Sequence, residues 1–253
     1  MNPYGFGGEA EIFFHMIELG QFETETALAE AVARRWIEQV ETSACRTVAL
    51  SGGRIARDLF KAAARIGSDR AEAIRGIHFF WADERCVGPE DPESNFGMAR
   101  QLLFEPLNIP PTQLHRIRGE LDPEFAATEA EAEICRLAPL SSEGQPTLDL
   151  VLLGMGEDGH IASLFPGEPE SLMGSSAAYR AVRAPKPPPR RISLNYGTLA
   201  AARSVWVLVS GSGKGTAWKK SFESGSEGTP LGRLLALRER TDVFVMGDVL
   251  GGE

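Results

Sequence analysis

A chain of 253 residues with 43% hydrophobic and 24% charged side chains has the make-up of a soluble globular protein, large enough to bury a core without disulfides. Its formal net charge of -9 excludes a nonspecific nucleic-acid binder, which needs a basic face, while leaving room for a local basic cluster around a small anion. Three widely spaced cysteines without a Cys-x-x-Cys pair, no basic leader ahead of Glu9 and Glu11, and no apolar run near the ~20 residues of a membrane span predict a cytoplasmic protein without membrane contact.

Residues 1–22 read as a lead-in. Over 24–40, Leu28, Val32, Trp36 and Val40 recur at every fourth position, with Glu30, Arg34, Arg35 and Glu38 on the polar face, which predicts an amphipathic helix. A short strand at 46–50 runs through Ser51-Gly52-Gly53 into a helix over 54–66. The next strand, 77–81, ends near the charged triplet Asp83-Glu84-Arg85. Ser94-Asn95 can cap a helix over 95–104, followed by a short strand at 114–117 and an Ala/Glu-rich helix over 123–137. The continuous apolar stretch at 148–153 has the composition of a fully buried strand. Strands at 179–182 and 191–195 flank a proline-rich tract, 185–189, predicted as a stiff surface crossing. A buried strand at 204–209 turns through Ser210-Gly211-Ser212-Gly213-Lys214 into a helix over 213–222; a helix at 229–237 and a strand at 242–246 close the chain. Strands alternating with helices predict a mostly parallel sheet covered on both faces. With no break in composition, the expected fold is a single-domain, Rossmann-like α/β domain over 1–253.

The most informative run is 154–166, Gly-Met-Gly-Glu-Asp-Gly-His-Ile-Ala-Ser-Leu-Phe-Pro. Its three glycines permit a sharp turn off the end of a buried strand, where ligands bind in open α/β sheets. His160 can take a proton near neutral pH, and Asp158 or Glu157 can orient it. Three other strand-to-turn junctions carry polar residues: Ser51-Gly52-Gly53, Asp83-Glu84-Arg85 and the turn ending at Lys214. In a doubly wound sheet all four open on one edge. The two Gly/Ser turns feed helices and suit a phosphate, with Lys214 adding a point charge and Arg85 or Arg191 a planar fork of donors. Neither turn has the Walker spacing. Gly154-x-Gly156-x-x-Gly159 matches the dinucleotide fingerprint only by letter, because no long helix follows it. The histidines are scattered, so no metal is expected; His78 reads as a core residue, His15 and His115 as surface residues. Cys86 beside Arg85 has only a weak claim to a reactive thiol.

Taken together and in this order, these motifs resemble the glucosamine-6-phosphate isomerase/6-phosphogluconolactonase family, on its lactonase branch, from about Thr26 to Met246. The resemblance rests on Ser51-Gly52-Gly53, on Trp81-x-Asp83-Glu84-Arg85 with Ser94-Asn95, on Gly154 through Pro166, on Arg191-Ile192-Ser193-Leu194 and on Ser210-Gly211-x-x-Lys214. It implies His160 as the catalytic base, Arg85 as an arginine that helps hold the substrate, and Lys214 with the first glycine turn as phosphate positions. Asp83, Asn95, Gly156 and Arg191 complete the expected binding set. Two departures stand out: Arg54-Ile55-Ala56 replaces the family's hydroxyl residues, which hands part of the phosphate contact to Arg54, and Ile161 replaces its usual threonine. The deaminase branch carries a glutamate five residues after the histidine, where this chain has Phe165, so the resemblance favours the lactonase.

The implied reaction is hydrolysis of 6-phospho-D-glucono-1,5-lactone to 6-phosphogluconate in the oxidative pentose phosphate pathway, without metal or organic cofactor. The alternatives are a sugar-phosphate isomerase or deaminase and a non-catalytic sugar-phosphate sensor. A monomer and a dimer fit the sequence equally.

Overall fold

The computed structural model describes residues 17–43, 45–222 and 228–250, so His15 lies outside the described residues. Six parallel strands form the central sheet: β1 (Ile17–Phe22), β2 (Thr47–Leu50), β3 (His78–Trp81), β5 (Leu150–Gly154), β8 (Ser204–Val209) and β9 (Thr241–Met246), in the order β1-β9-β8-β5-β2-β3. Every residue of β2 is buried, as are Leu150 to Leu153 of β5 and Val205 to Val209 of β8. Such near-continuous apolar runs are what a sheet covered on both faces requires.

Chain order reverses between β2 and β5, which pair in parallel with Val48 opposite Leu150 and Ala49 opposite Val151. From β2 the sheet grows outward to β3 on one side and to β8 and β9 on the other. Such a reversal leaves a crevice beyond the carboxyl ends of the two strands. The glycine turn after β2 and the His160 loop after β5 therefore face one another by topology.

The expected parallel sheet is supplemented by a second sheet. β4 (Asp83–Arg85), β7 (Arg190–Leu194) and β6 (Tyr179–Arg183) form an antiparallel ladder in the order β4-β7-β6. The chain leaves β3 at Trp81 and enters β4 at once, so the charged triplet is a strand rather than a turn. The proline-rich tract joins β6 to β7 and is closed by Ala184 N–H donating to Pro189 O (2.7 Å), making it a hairpin loop rather than a crossing.

The helices follow their apolar stripes. In α1 (Glu25–Thr42), Leu28, Val32, Trp36 and Val40 are buried together with Ala29, Ala33 and Ile37, and Thr24 caps the first turn by accepting from Ala27 N (3.1 Å). Helix α2 (Arg54–Gly67) begins without a side-chain cap, after Gly53 at φ 99°. Helix α3 (Asn95–Ala99) is capped by Ser94 and continues as a π-helix over Arg100–Phe104. Helix α4 (Pro123–Leu137) has Asp122 as its cap, and α5 (Tyr196–Ala201) precedes β8. After β8 the predicted helix is shorter, a 3-10 turn at Ser212–Lys214 and then α6 (Gly215–Lys220); α7 (Pro230–Ala236) leads into β9.

Three local expectations are corrected. Part of the lead-in forms β1, an edge strand parallel to β9. The 114–117 segment makes a single bridge, Leu114 to Phe79, and no strand. His115 is half-buried rather than superficial: its Nε2 lies 2.8 Å from His78 Nδ1 and its Nδ1 2.7 Å from Glu133 Oε1, and burial pushes its pKa down. Among the described residues no helix is long and apolar enough to cross a membrane.

Candidate active site

The His160 loop is held by its apolar residues. Ile161 and Leu164 are fully buried, Phe165 is nearly so, and Met155 and Ile161 form a bridge that closes the turn through Gly156 N–H donating to His160 O (2.8 Å). Gly159 adopts φ 80°, a left-handed conformation that favours glycine. The result presents the His160 imidazole to a cleft of about 440 Å³. Of the residues expected from the sequence to act on substrate, only Asp158 does not line this cleft.

Asp158 instead stands behind the histidine. His160 Nδ1 is hydrogen-bonded to Asp158 Oδ1, which also accepts from the His160 backbone N–H (3.2 Å). Burial opposes the charge on Asp158, but the bonds from His160 outweigh it and hold the carboxyl below its ordinary range. An ionised carboxylate can only accept, so Nδ1 carries the proton and Nε2 keeps its lone pair. Burial also dominates at His160 and lowers its pKa, against the opposing pull of Asp158. The imidazole is thus neutral at pH 7. Of the two carboxylates the sequence left open, Asp158 orients the ring, while Glu157 lines the cleft beside Gly213.

Asp83 and Asn95 stiffen the wall. Asp83 is buried and accepts from Ser163 Oγ (2.6 Å), which ties the His160 loop to β4. Asn95 Nδ2 donates to Asp83 O (2.9 Å), and its amide lies so close to Gly52 that a Cβ there would sit 1.8 Å from Asn95 Oδ1. Glu84, absent from the expected set, is almost completely buried and accepts backbone N–H bonds from Arg85 (2.7 Å), Asn95 (2.8 Å) and Phe96 (2.8 Å) as well as Ser94 Oγ–H (3.0 Å). It joins β4 to the start of α3; its sequence signal was drowned by the charged residues on either side.

The cations divide into two groups. Arg54, 67% exposed in its side chain, pairs with Glu25 (3.0 Å) and reaches across to the second glycine turn, where a Cβ on Gly211 would lie 2.7 Å from its Nη2. Burial and the neighbouring Arg54 bring the Lys214 pKa down to about 8. At the other end, Arg85 donates through Nη1 to Glu93 O (2.6 Å), and Arg191 donates to Pro188 O (3.0 Å) and Pro187 O (3.4 Å). Lys186, on the proline-rich hairpin, lines the cleft and was not anticipated; amid prolines it read as part of a spacer. Cys86 is no activated thiol, since burial pushes its pKa up to about 11.

Residues 21–243 match the family model described as glucosamine-6-phosphate isomerases/6-phosphogluconolactonase. The chain belongs to that family. Among proteins similar to it, the 6-phosphogluconolactonase of Aggregatibacter actinomycetemcomitans is 35% identical over 211 residues, covering 83% of this chain and 87% of that protein. The 6-phosphogluconolactonase of Treponema pallidum (strain Nichols) is 37% identical over 190 residues, 75% of this chain and 78% of that protein. The solved 6-phosphogluconolactonase structure from Trypanosoma brucei superposes with a TM-score of 0.80 at 26% identity, covering 92% of this chain and 97% of that one. Within this glucosamine-6-phosphate isomerase/6-phosphogluconolactonase family, the position that separates the two branches in the sequence is here an aromatic wall: the Phe165 ring lies 4.8 Å from that of His160 and is 4% exposed.

Proposed function

We infer that this chain hydrolyses the ester of 6-phospho-D-glucono-1,5-lactone, with His160 as the base that activates water. The observation that carries the mechanism is the oriented, neutral imidazole: with Nδ1 bound to Asp158, Nε2 is left to accept a proton at the cleft. Water gives its proton to Nε2 as its oxygen bonds to C1, and the carbonyl electron pair moves onto the carbonyl oxygen. The tetrahedral intermediate then breaks its C1–O5 bond, and the protonated His160 returns the proton to O5. The product is 6-phosphogluconate. The apolar Phe165 beside His160 offers no second carboxylate for the proton shuttling of a ring-opening isomerase. Cys45, Cys86 and Cys135 are all free, as a reducing cytoplasm keeps them.

The substrate's phosphate is assigned to the Arg54–Lys214 end of the cleft. The uncapped first turn of α2 supplies backbone N–H groups beside Arg54, and Lys214 adds its charge. The helix after the second glycine turn is short, so Lys214 rather than a helix dipole is the contribution from that side. With the phosphate there, the lactone ring extends toward His160, and remote binding energy fixes C1 against the base.

The test is a rate measurement with freshly made lactone, corrected for spontaneous hydrolysis, beside an ammonia-release assay with glucosamine 6-phosphate. Enzymatic lactone turnover without ammonia release is expected; the reverse pattern overturns the assignment. The phosphate end makes its own prediction. Because the Lys214 pKa is brought down to about 8, the free enzyme loses this cation as pH rises through that value, and KM for the lactone should climb there. Lys214→Arg, charged throughout, should keep KM level over the same range. A KM that stays level to pH ~9 in the unmodified protein would remove Lys214 from the phosphate site.

A further inference from the structure

We propose that Lys186 is a catalytic residue that bonds the lactone carbonyl oxygen through its ammonium group and stabilises the oxyanion formed there. This rests on the lactonase assignment and adds to it a group that no family motif in the sequence identified.

Lys186 lies within the hairpin loop between β6 and β7, whose ends are closed by Ala184 N–H donating to Pro189 O (2.7 Å). Prolines at 185, 187, 188 and 189 restrict the φ angles around it. From below, buried Arg191 clasps the loop by donating to Pro188 O (3.0 Å) and Pro187 O (3.4 Å). The backbone that carries Lys186 over the cleft is therefore braced on both sides.

Lys186 Nζ is 5.8 Å from the centroid of the Phe165 ring, the same ring that packs against the His160 imidazole at 4.8 Å. Lys186 and His160 line the same cleft and both lie against the Phe165 ring. The charge is felt at the catalytic pair: it holds down the pKa of both His160 and Asp158. It thereby helps keep the base neutral.

The other cations of the cleft are held elsewhere in part. Arg85 has Nη1 committed to Glu93 O (2.6 Å) and to the Glu93 carboxylate (3.4 Å), while its buried Nε has no partner. Arg191 is 4% exposed and directs Nε and Nη2 to the loop carbonyls and Nη1 toward Ser163 Oγ (3.5 Å). Arg54 pairs with Glu25, and the charges that act on Lys214 are Arg54, Glu25, Glu157 and Asp248. Lys186 makes no ion pair within the described residues, so its three N–H donors remain for a ligand. An ammonium beside an apolar wall is also well suited to a charge that develops only during reaction, because a flexible stem lets it follow the oxygen.

The step balances without further reactants. As water's oxygen bonds to C1 and its proton passes to His160 Nε2, the carbonyl π pair becomes an oxyanion, which accepts an N–H bond from Lys186. When the C1–O5 bond breaks and His160 protonates O5, the carbonyl reforms. Lys186 keeps all its protons throughout.

The experiment compares the unmodified protein with Lys186→Met and Lys186→Arg, using fresh lactone at a pH where His160 is neutral in all three. For Lys186→Met, kcat is expected to fall about 10²-fold, the usual effect of removing one oxyanion donor, with KM changed only a few-fold because the phosphate end is untouched. Lys186→Arg should recover at least a tenfold part of the loss. The acid limb of kcat/KM should also move to higher pH in Lys186→Met, since a cation that depresses the His160 pKa has been removed; a merely structural loop residue would leave that limb in place. A kcat within about threefold of the unmodified value, or a rise in KM with kcat unchanged, overturns the proposal. Absence of lactone turnover in the unmodified protein would instead refute the lactonase assignment, so the two failures are separable.

Discussion

Replacing His160 with alanine is expected to reduce kcat for the lactone by about 10²–10⁴-fold, the range a positioned general base supplies. Packing of the loop depends on Ile161, Leu164 and Phe165, all buried, and hardly on the imidazole, so the fold and binding of 6-phosphogluconate should persist. The pH dependence follows from the same geometry. As the proposed base, His160 could act only when neutral, and burial lowers its pKa from the ordinary 6.5. Activity should therefore be lost as pH falls through a value below 6.5 and remain level, as far as this group is concerned, across neutrality. The Asp158 carboxylate opposes that shift, so Asp158→Asn should move the acid limb further down while disturbing the tautomer. A His160→Ala protein that keeps more than about a tenth of the original kcat would exclude His160 as the base, given the usual size of that contribution.

Gly156→Ala is expected to be nearly as damaging, although it deletes no functional group. A Cβ at this position would sit 2.0 Å from both Nδ1 and Cε1 of His160 and 2.8 Å from Asp158 Oδ1. Atoms cannot approach so closely, so the ring must swing away from its carboxylate. The φ angle of Gly156 lies outside the left-handed region, which makes the penalty one of space rather than backbone strain. Loss of the Asp158 contact frees the tautomer and the orientation of the base together, and kcat should fall by about 10²-fold. The thermal midpoint should change little, because the displaced ring borders an open cleft. Gly88→Ala, where an added Cβ meets nothing within 4 Å, is the matched control. An unchanged kcat in Gly156→Ala would mean that the observed His160–Asp158 pairing is not needed for turnover.

Much of the architecture was legible because its signals are local. The stripe of Leu28, Val32, Trp36 and Val40 can be buried only by a helix laid on a core, and the apolar runs of β5 and β8 are too short for helices and too hydrophobic for surface strands. Other elements carried no such signal. β1 is defined by its ladder to β9, and β4 is three charged residues that become a strand only because β7 presents the matching backbone. His115 looked superficial until His78 and Glu133 closed around it.

The sequence alone determined the alternation of strands and helices, the glycine turns at the strand ends, and the chemical types gathered there: an imidazole, carboxylates, arginines and lysines. These follow from side-chain periodicity and turn chemistry, which act within a few residues. The tertiary structure decided the rest. Asp158 was the expected partner of His160 with adjacent Glu157 as the alternative, and the hydrogen-bonded turn from Gly156 to His160 brings Asp158 to Nδ1. Parallel pairing of β2 with β5 opposes the two turns across the switch point, and the antiparallel ladder of β6 and β7 carries the proline-bounded Lys186 to the same cleft. Those relations join residues far apart in the chain, and strand register together with burial sets them, so no local pattern in the sequence can encode them.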